Sequence, residues 1–202
     1  MNVFRKEPYL WVHLAGLAVL PLTLLGVWLG LAVGEPLPVV GLEPIVLFLL
    51  GVLPIFWMQW HRPFDIFSLG IVALRPNSLS LEQQKILHLF KTSRQRAITL
   101  FGAVLMMACG WLLYRWSPFA ASAAEILPAW RPLGFVIATG CFLLSNLFWQ
   151  VPLSVLGVLV SSEDDFTQQG IYREEQIVAD FTILGWPVRQ ILPTLVSDST
   201  KS

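Results

Sequence analysis

The segment from Leu133 to Val160, LGFVIATGCFLLSNLFWQVPLSVLGVLV, decides the fold. It carries no Lys, Arg, Asp or Glu. About 20 predominantly apolar residues suffice to cross a hydrocarbon core about 30 Å thick. A charge at mid-bilayer costs at least ~2.5 kcal/mol, so a span must be free of charge over this length. Backbone polar groups in lipid are satisfied only within the segment, which makes it a helix. Three further stretches pass the same test: Tyr9 to Val33, Leu42 to Trp60 and Ile98 to Tyr114. Their one charged residue is Glu43, at the entrance of the second. Pro21, Pro54 and Pro152 predict kinks, because neighbouring helices can cover the carbonyls that proline frees.

Composition agrees. Of 202 residues, 55% are hydrophobic and 13% charged, against roughly 45–50% and 25% in soluble domains. Mean hydropathy is +0.67. The expected fold is all-α: a polytopic integral membrane protein with four transmembrane helices in residues 1–160. A cytoplasmic loop, 61–97, carries an amphipathic helix, and residues 161–202 form a cytoplasmic tail. The first apolar run is longer than the 7–15 residues or so of a signal-peptide core, so it reads as a span. Trp11, Trp57, Trp60, Trp111, Trp116 and Trp130 fall near expected span ends, as an interfacial belt does; Trp28 is also near an end, and Trp149 lies deeper.

The distribution of basic residues sets the expected orientation. Arg5 and Lys6 precede the first span, and Arg62, Arg75, Lys85, Lys91, Arg94 and Arg96 lie in the second loop. Arg173, Arg189 and Lys201 are in the tail, while Arg115 and Arg131 bracket the third loop. With both termini cytoplasmic, eleven basic residues are inside and two outside, which is the positive-inside pattern. Net charge is zero, so no nucleic-acid partner is expected.

The soluble parts hold two signals. Phe64 to Leu74 is apolar but too short to span, which predicts an interfacial or re-entrant segment. Ser80 with Gln83 forms a capping box. The stripe Leu81, Ile86, Leu87, Leu89 and Phe90 then predicts an amphipathic helix on the membrane surface. Arg62, Lys85, Lys91, Arg94 and Arg96 there read either as ordinary juxtamembrane positives or as a docking surface for a partner or anionic lipid. The tail opens on Glu163, Asp164 and Asp165, which can pair with this loop. Ile177, Val178, Phe181 and Leu184 predict a short helix, and Ser197 to Ser202 read as disordered.

Within the spans, Gly26, Gly30 and Gly34 repeat every fourth residue and offer a smooth face for close helix approach. That face serves packing within the chain or a partner helix. Gly134 and Ala138 form a similar pair in the fourth span. Asn146 and Gln150, one turn apart beside Ser145, are expected to hydrogen-bond neighbouring helices, or to line a substrate path. His13, His61 and Asn146 are candidate ligands for chlorophyll or haem, although their spacing forms no metal signature and no cofactor is predicted. Cys109 and Cys141 lie in apolar runs and read as packing residues. No catalytic or nucleotide-binding fingerprint is present, and the chain is expected not to be an enzyme. No intramembrane acid or lysine suggests a proton relay.

Three blocks carry a family resemblance: Glu7 to Ala18, Trp57 to Phe64 and Leu79 to Thr92. Over residues 3 to 160 the chain resembles a group of cyanobacterial proteins described as low-complexity-tail membrane proteins, although its own tail is short and not low in complexity. The resemblance implies a cyanobacterial membrane, the thylakoid, and supplies no activity. By analogy it implies a non-catalytic accessory or assembly factor of a photosynthetic complex such as a photosystem, with membrane lipid and subunits of a larger complex as partners. Alternatives are a small transporter or channel component, or a pigment- or haem-binding membrane protein.

Overall fold

The computed structural model describes residues 3–39 and 41–192. Four helical spans cross the molecule: Pro8–Ala32, Leu42–His61, Ser93–Ala124 and Arg131–Leu159. Each is long and apolar enough to cross a membrane.

Proline places the breaks within them. The first span consists of α1 (Pro8–Ala15), a 3-10 turn (Gly16–Val19) and α2 (Leu20–Ala32), with Pro21 in the first turn of α2. The second divides at Val52 into α3 (Leu42–Gly51) and α4 (Leu53–His61), with Pro54 in the first turn of α4. There proline's missing N–H costs nothing. The third span is α6 (Ser93–Trp116), followed by a 3-10 turn and α7 (Ala121–Ala124). The fourth, α8 (Arg131–Leu159), continues through Pro152.

The fourth span is the central one. More than half of its most apolar stretch is covered, against a third or less in the others. It touches α1, α2, α3, α4 and α6. The bundle core packs Val27, Leu31, Leu47, Val52, Ala103 and Met106 around Ala138 and Phe142 of this span.

A second core sits at one end of the bundle. The short helix α5 (Leu81–Leu89) carries the expected capping box: Gln83 N donates to Ser80 Oγ at 3.2 Å, and Ser80 N to Gln83 Oε1 at 3.0 Å. In the tail, α9 (Glu163–Thr167) and α10 (Glu174–Asp180) follow. Three short strands complete this cap: β1 (Ser68–Leu69), β2 (Val72–Leu74) and β3 (Trp186–Val188). The β1–β2 hairpin is antiparallel, with Leu69 opposite Val72, and β3 adds to β2 in parallel. Gly70 opens the two-residue hairpin loop at φ 64°, a position that glycine adopts without strain.

One expectation gains a shape here and another is corrected. Phe64 to Leu74, expected as an interfacial or re-entrant segment, is a hairpin whose Ile66, Phe67 and Ser68 are fully enclosed. The apolar stripe of α5 does not lie on a membrane surface. Ile86, Leu87, Leu89 and Phe90 are buried in a cluster with Phe4, Phe166, Tyr172, Ile177 and Phe181; Leu81 alone of the stripe is exposed. The N-terminal turn and the tail supply the apolar surface that the stripe needs. Ser197 to Ser202 lie outside the described residues.

Candidate interaction site at the capped end

The cap is built from three separate parts of the chain, and arginines hold them. A helix leaves its last four carbonyls unpaired, and cations near them satisfy both the lone pairs and the helix dipole. Arg94 donates to Gly157 O in the last turn of α8, and to Ser161 Oγ at 3.3 Å. Arg62 donates to Val178 O at 2.8 Å and Phe181 O at 2.9 Å, closing the C-terminus of α10. Arg5 donates to Ser161 O at 3.2 Å.

Lys91 pairs with Asp180 at 3.0 Å, and Tyr172 donates to the other Asp180 oxygen at 3.1 Å. Burial alone would raise the Asp180 carboxyl, but the bonds from Lys91 and Tyr172 outweigh it and hold it below the usual range. Burial, with the Asp180 carboxylate beside it, pushes Tyr172 up to about 12. Lys85 lies over the Phe166 ring at 5.9 Å, and Arg96 over Trp60 at 5.9 Å.

The basic residues expected to form a docking surface are therefore engaged within the chain: Arg62, Lys91 and Arg94 by hydrogen bonds, Lys85 and Arg96 by aromatic rings. Sequence could not reveal this, because the carbonyls of α8 and α10 lie far along the chain from the arginines that reach them.

Asp65 is the buried acid of the cap, at 1% exposure. Its Oδ1 accepts from Phe67 N at 3.0 Å, and its own N donates to Thr182 O. Burial pushes its carboxyl up to about 6. Burial likewise raises Glu7 and lowers His88.

The glycine face is also used internally. An ideal Cβ on Gly26 would lie 2.6 Å from Cys141 Sγ, and one on Gly30 would lie 2.6 Å from Gly134 O. Gly34, at φ 63°, ends α2 against Arg131. The face covers α8, so it is not open to a partner helix. Asn146 and Gln150 are enclosed in the bundle. Asn146 Nδ2 donates to Phe142 O at 2.9 Å within its own helix, and both Gln150 amide atoms lack a partner. Ser145 bridges to Thr23 Oγ1 at 2.9 Å.

His13 packs against the hairpin, its Nδ1 2.9 Å from Tyr9 O and its Nε2 3.1 Å from Ser68 O. Neither ring nitrogen is turned to an open coordination position. His61 is exposed, its ring tilted against Trp57, with Nδ1 3.2 Å from Trp57 O. Among the described residues no group of three or more His, Cys, Asp or Glu could hold a metal ion.

Among its exposed polar residues the cap also leaves large apolar side chains uncovered. Ile71 is 80% exposed, Trp186 81% and Val178 54%. Trp186 N donates to Ile71 O at 2.8 Å, which fixes the two side by side. Val178 and Pro187 share a shallow basin of about 460 Å³ with Arg75, Glu174 and Glu175. The strand β3 is a sheet edge carrying a proline, and proline is compatible with an edge that must not pair further. Sequence reading missed this face. The signals were Gly70 in a two-residue loop and Gly185-Trp186-Pro187 at a strand start, but the pairing of β2 with β3 spans more than a hundred residues.

No curated protein and no solved structure shows significant similarity to the chain. A family model described as low-complexity tail membrane protein-like matches residues 6–193. The chain thus belongs to the low-complexity tail membrane protein-like family.

Proposed function

We propose that this protein is a non-catalytic accessory or assembly factor of a larger membrane complex, with both termini cytoplasmic. The observation that carries the reading is exposed Trp186, held beside exposed Ile71 by a backbone hydrogen bond, on a sheet edge whose other side offers Val178 and Pro187 in a basin rimmed by Arg75, Glu174 and Glu175. Aromatic anchors within a polar rim are what protein interfaces are made of. The basic residues of the loop stabilise the cap, and this apolar face meets the partner subunit. The cyanobacterial resemblance supports a photosynthetic complex, with a photosystem in the thylakoid as the first candidate.

The test is affinity purification of the tagged full-length protein in mild detergent, with subunit identification and native-gel migration. Co-migration with photosystem subunits, lost on Trp186→Ala, is the expected result. A protein that runs only as a free species overturns the reading. The transporter alternative draws on one observation, the unpaired amide atoms of Gln150 inside the bundle. Solute flux through reconstituted vesicles, abolished by Gln150→Leu, would favour it.

A further inference from the structure

The hairpin does more than close the cap. It stands beside the first and fourth spans and forms the outer wall of a groove of about 340 Å³. Val12, Gly16, Leu69, Phe148, Val151 and Leu184 are among its lining residues.

The depth of the groove identifies what it faces. Arg94 bonds Gly157 O, and a guanidinium marks headgroup level on a spanning helix. Phe148 lies nine residues nearer the middle of α8, roughly 13 Å deeper at 1.5 Å per residue. The inner end of the groove is therefore at hydrocarbon depth, and the hairpin walls its outer end. The groove's one ionisable side chain, His13, has each ring nitrogen at a backbone carbonyl, Tyr9 O at 2.9 Å and Ser68 O at 3.1 Å. It offers a ligand little hydrogen bonding, so the chemistry that fits is a hydrocarbon chain.

The shape of the groove is held by structure. Asp65 N ties the hairpin to Thr182 O, and within the hairpin Leu74 N donates to Phe67 O, each at 3.0 Å. Gly16 leaves the floor open: a Cβ there would sit 3.3 Å from the Phe148 ring. A lipid-facing helix normally has no rigid second wall, and here the hairpin supplies one. We propose that this groove binds one hydrocarbon chain of a membrane lipid, between the hairpin and the first and fourth spans, with the lipid head beside the cap. This does not depend on the identity of the partner complex.

The test is photolabelling of the full-length protein in phosphatidylglycerol vesicles doped with phosphatidylglycerol bearing a diazirine on one acyl chain. Label is expected on Val12 to Gly16 and Leu147 to Pro152 at about five times the yield at Val136 and Leu112, the preference of a modest site. Excess undoped lipid should compete it away. Val12→Trp and, separately, Leu147→Trp fill the groove and should remove its label while leaving Leu112 labelled. Labelling that merely follows exposure around the bundle, or that neither variant changes, overturns the proposal. Groove labelling that appears in the purified protein but is blocked in native membranes indicates a protein occupant and overturns it too.

Discussion

Gly30 and Gly134 meet backbone to backbone across α2 and α8. A Cβ on Gly30 would lie 2.6 Å from Gly134 O, and one on Gly134 would lie 2.7 Å from Gly30 O. The contact brings the first span onto the central one with no side chain between them. Gly30→Val must push the helices apart. Overpacking of this kind costs about 1–3 kcal/mol, so the melting temperature in detergent should fall. Gly140→Ala is the control, since nothing lies within 4 Å of its added Cβ.

At the opposite end of the bundle from the cap, Arg131 holds Glu43. Its Nε donates to Glu43 Oε1 at 2.7 Å, and its Nη2 pairs with Oε2. It also donates to Leu31 O and Val33 O at the end of α2. Glu43 is 1% exposed. Arg131→Met leaves that carboxylate buried and unpaired, which costs about 3–5 kcal/mol. Thermal unfolding should show the loss, and Glu43→Gln added to Arg131→Met should recover part of it.

Asp65 makes stability fall as pH rises. Its folded value of about 6 lies above the ordinary 3.8. Its contribution is fully present below the unfolded value and is lost between about pH 4 and pH 6. Asp65→Asn keeps the acceptor for Phe67 N without the buried charge. The variant should melt higher than the parent at pH 7.5, by at most roughly 3 kcal/mol in stability, and almost equally at pH 4. Parallel melting curves at the two values check this.

Asp180 acts in the opposite sense. Its carboxyl is held below the usual range once the bonds from Lys91 and Tyr172 outweigh burial. The pair stabilises the cap above the ordinary carboxyl value and is lost as pH falls through the depressed one. Asp180→Asn should loosen α10 at neutral pH and leave it unchanged in strong acid. Amide hydrogen exchange in α10 at the two pH values reads that out.

The proposed orientation predicts labelling from opposite sides. In a background lacking Cys109 and Cys141, Asn77→Cys should react with an impermeant maleimide only after right-side-out vesicles are opened. Glu125→Cys should react in intact vesicles. Both positions are exposed, so access to reagent decides the result. The reverse pattern would refute the orientation.

What was legible in the sequence followed from solvent alone. A charge-free run such as Leu133 to Val160 has one physical outcome in lipid, and the four spans appear close to where composition puts them. Ser80 and Gln83 are three residues apart, so their capping box was also readable. The Gly26, Gly30 and Gly34 repeat announced a close helix contact but not its other side. Only the tertiary structure decided that Gly134, Ala138 and Cys141 fill that side, that Phe166, Ile177 and Phe181 cover the stripe of α5, and that β3 joins the hairpin. The fate of the basic loop was likewise beyond sequence. Arg62 and Arg94 read as free surface charge until the ends of α10 and α8 come to them. A local pattern fixes what a residue requires, whether apolar cover, a lone pair or a counter-charge; which distant part of the chain meets that requirement is settled only when the whole chain packs.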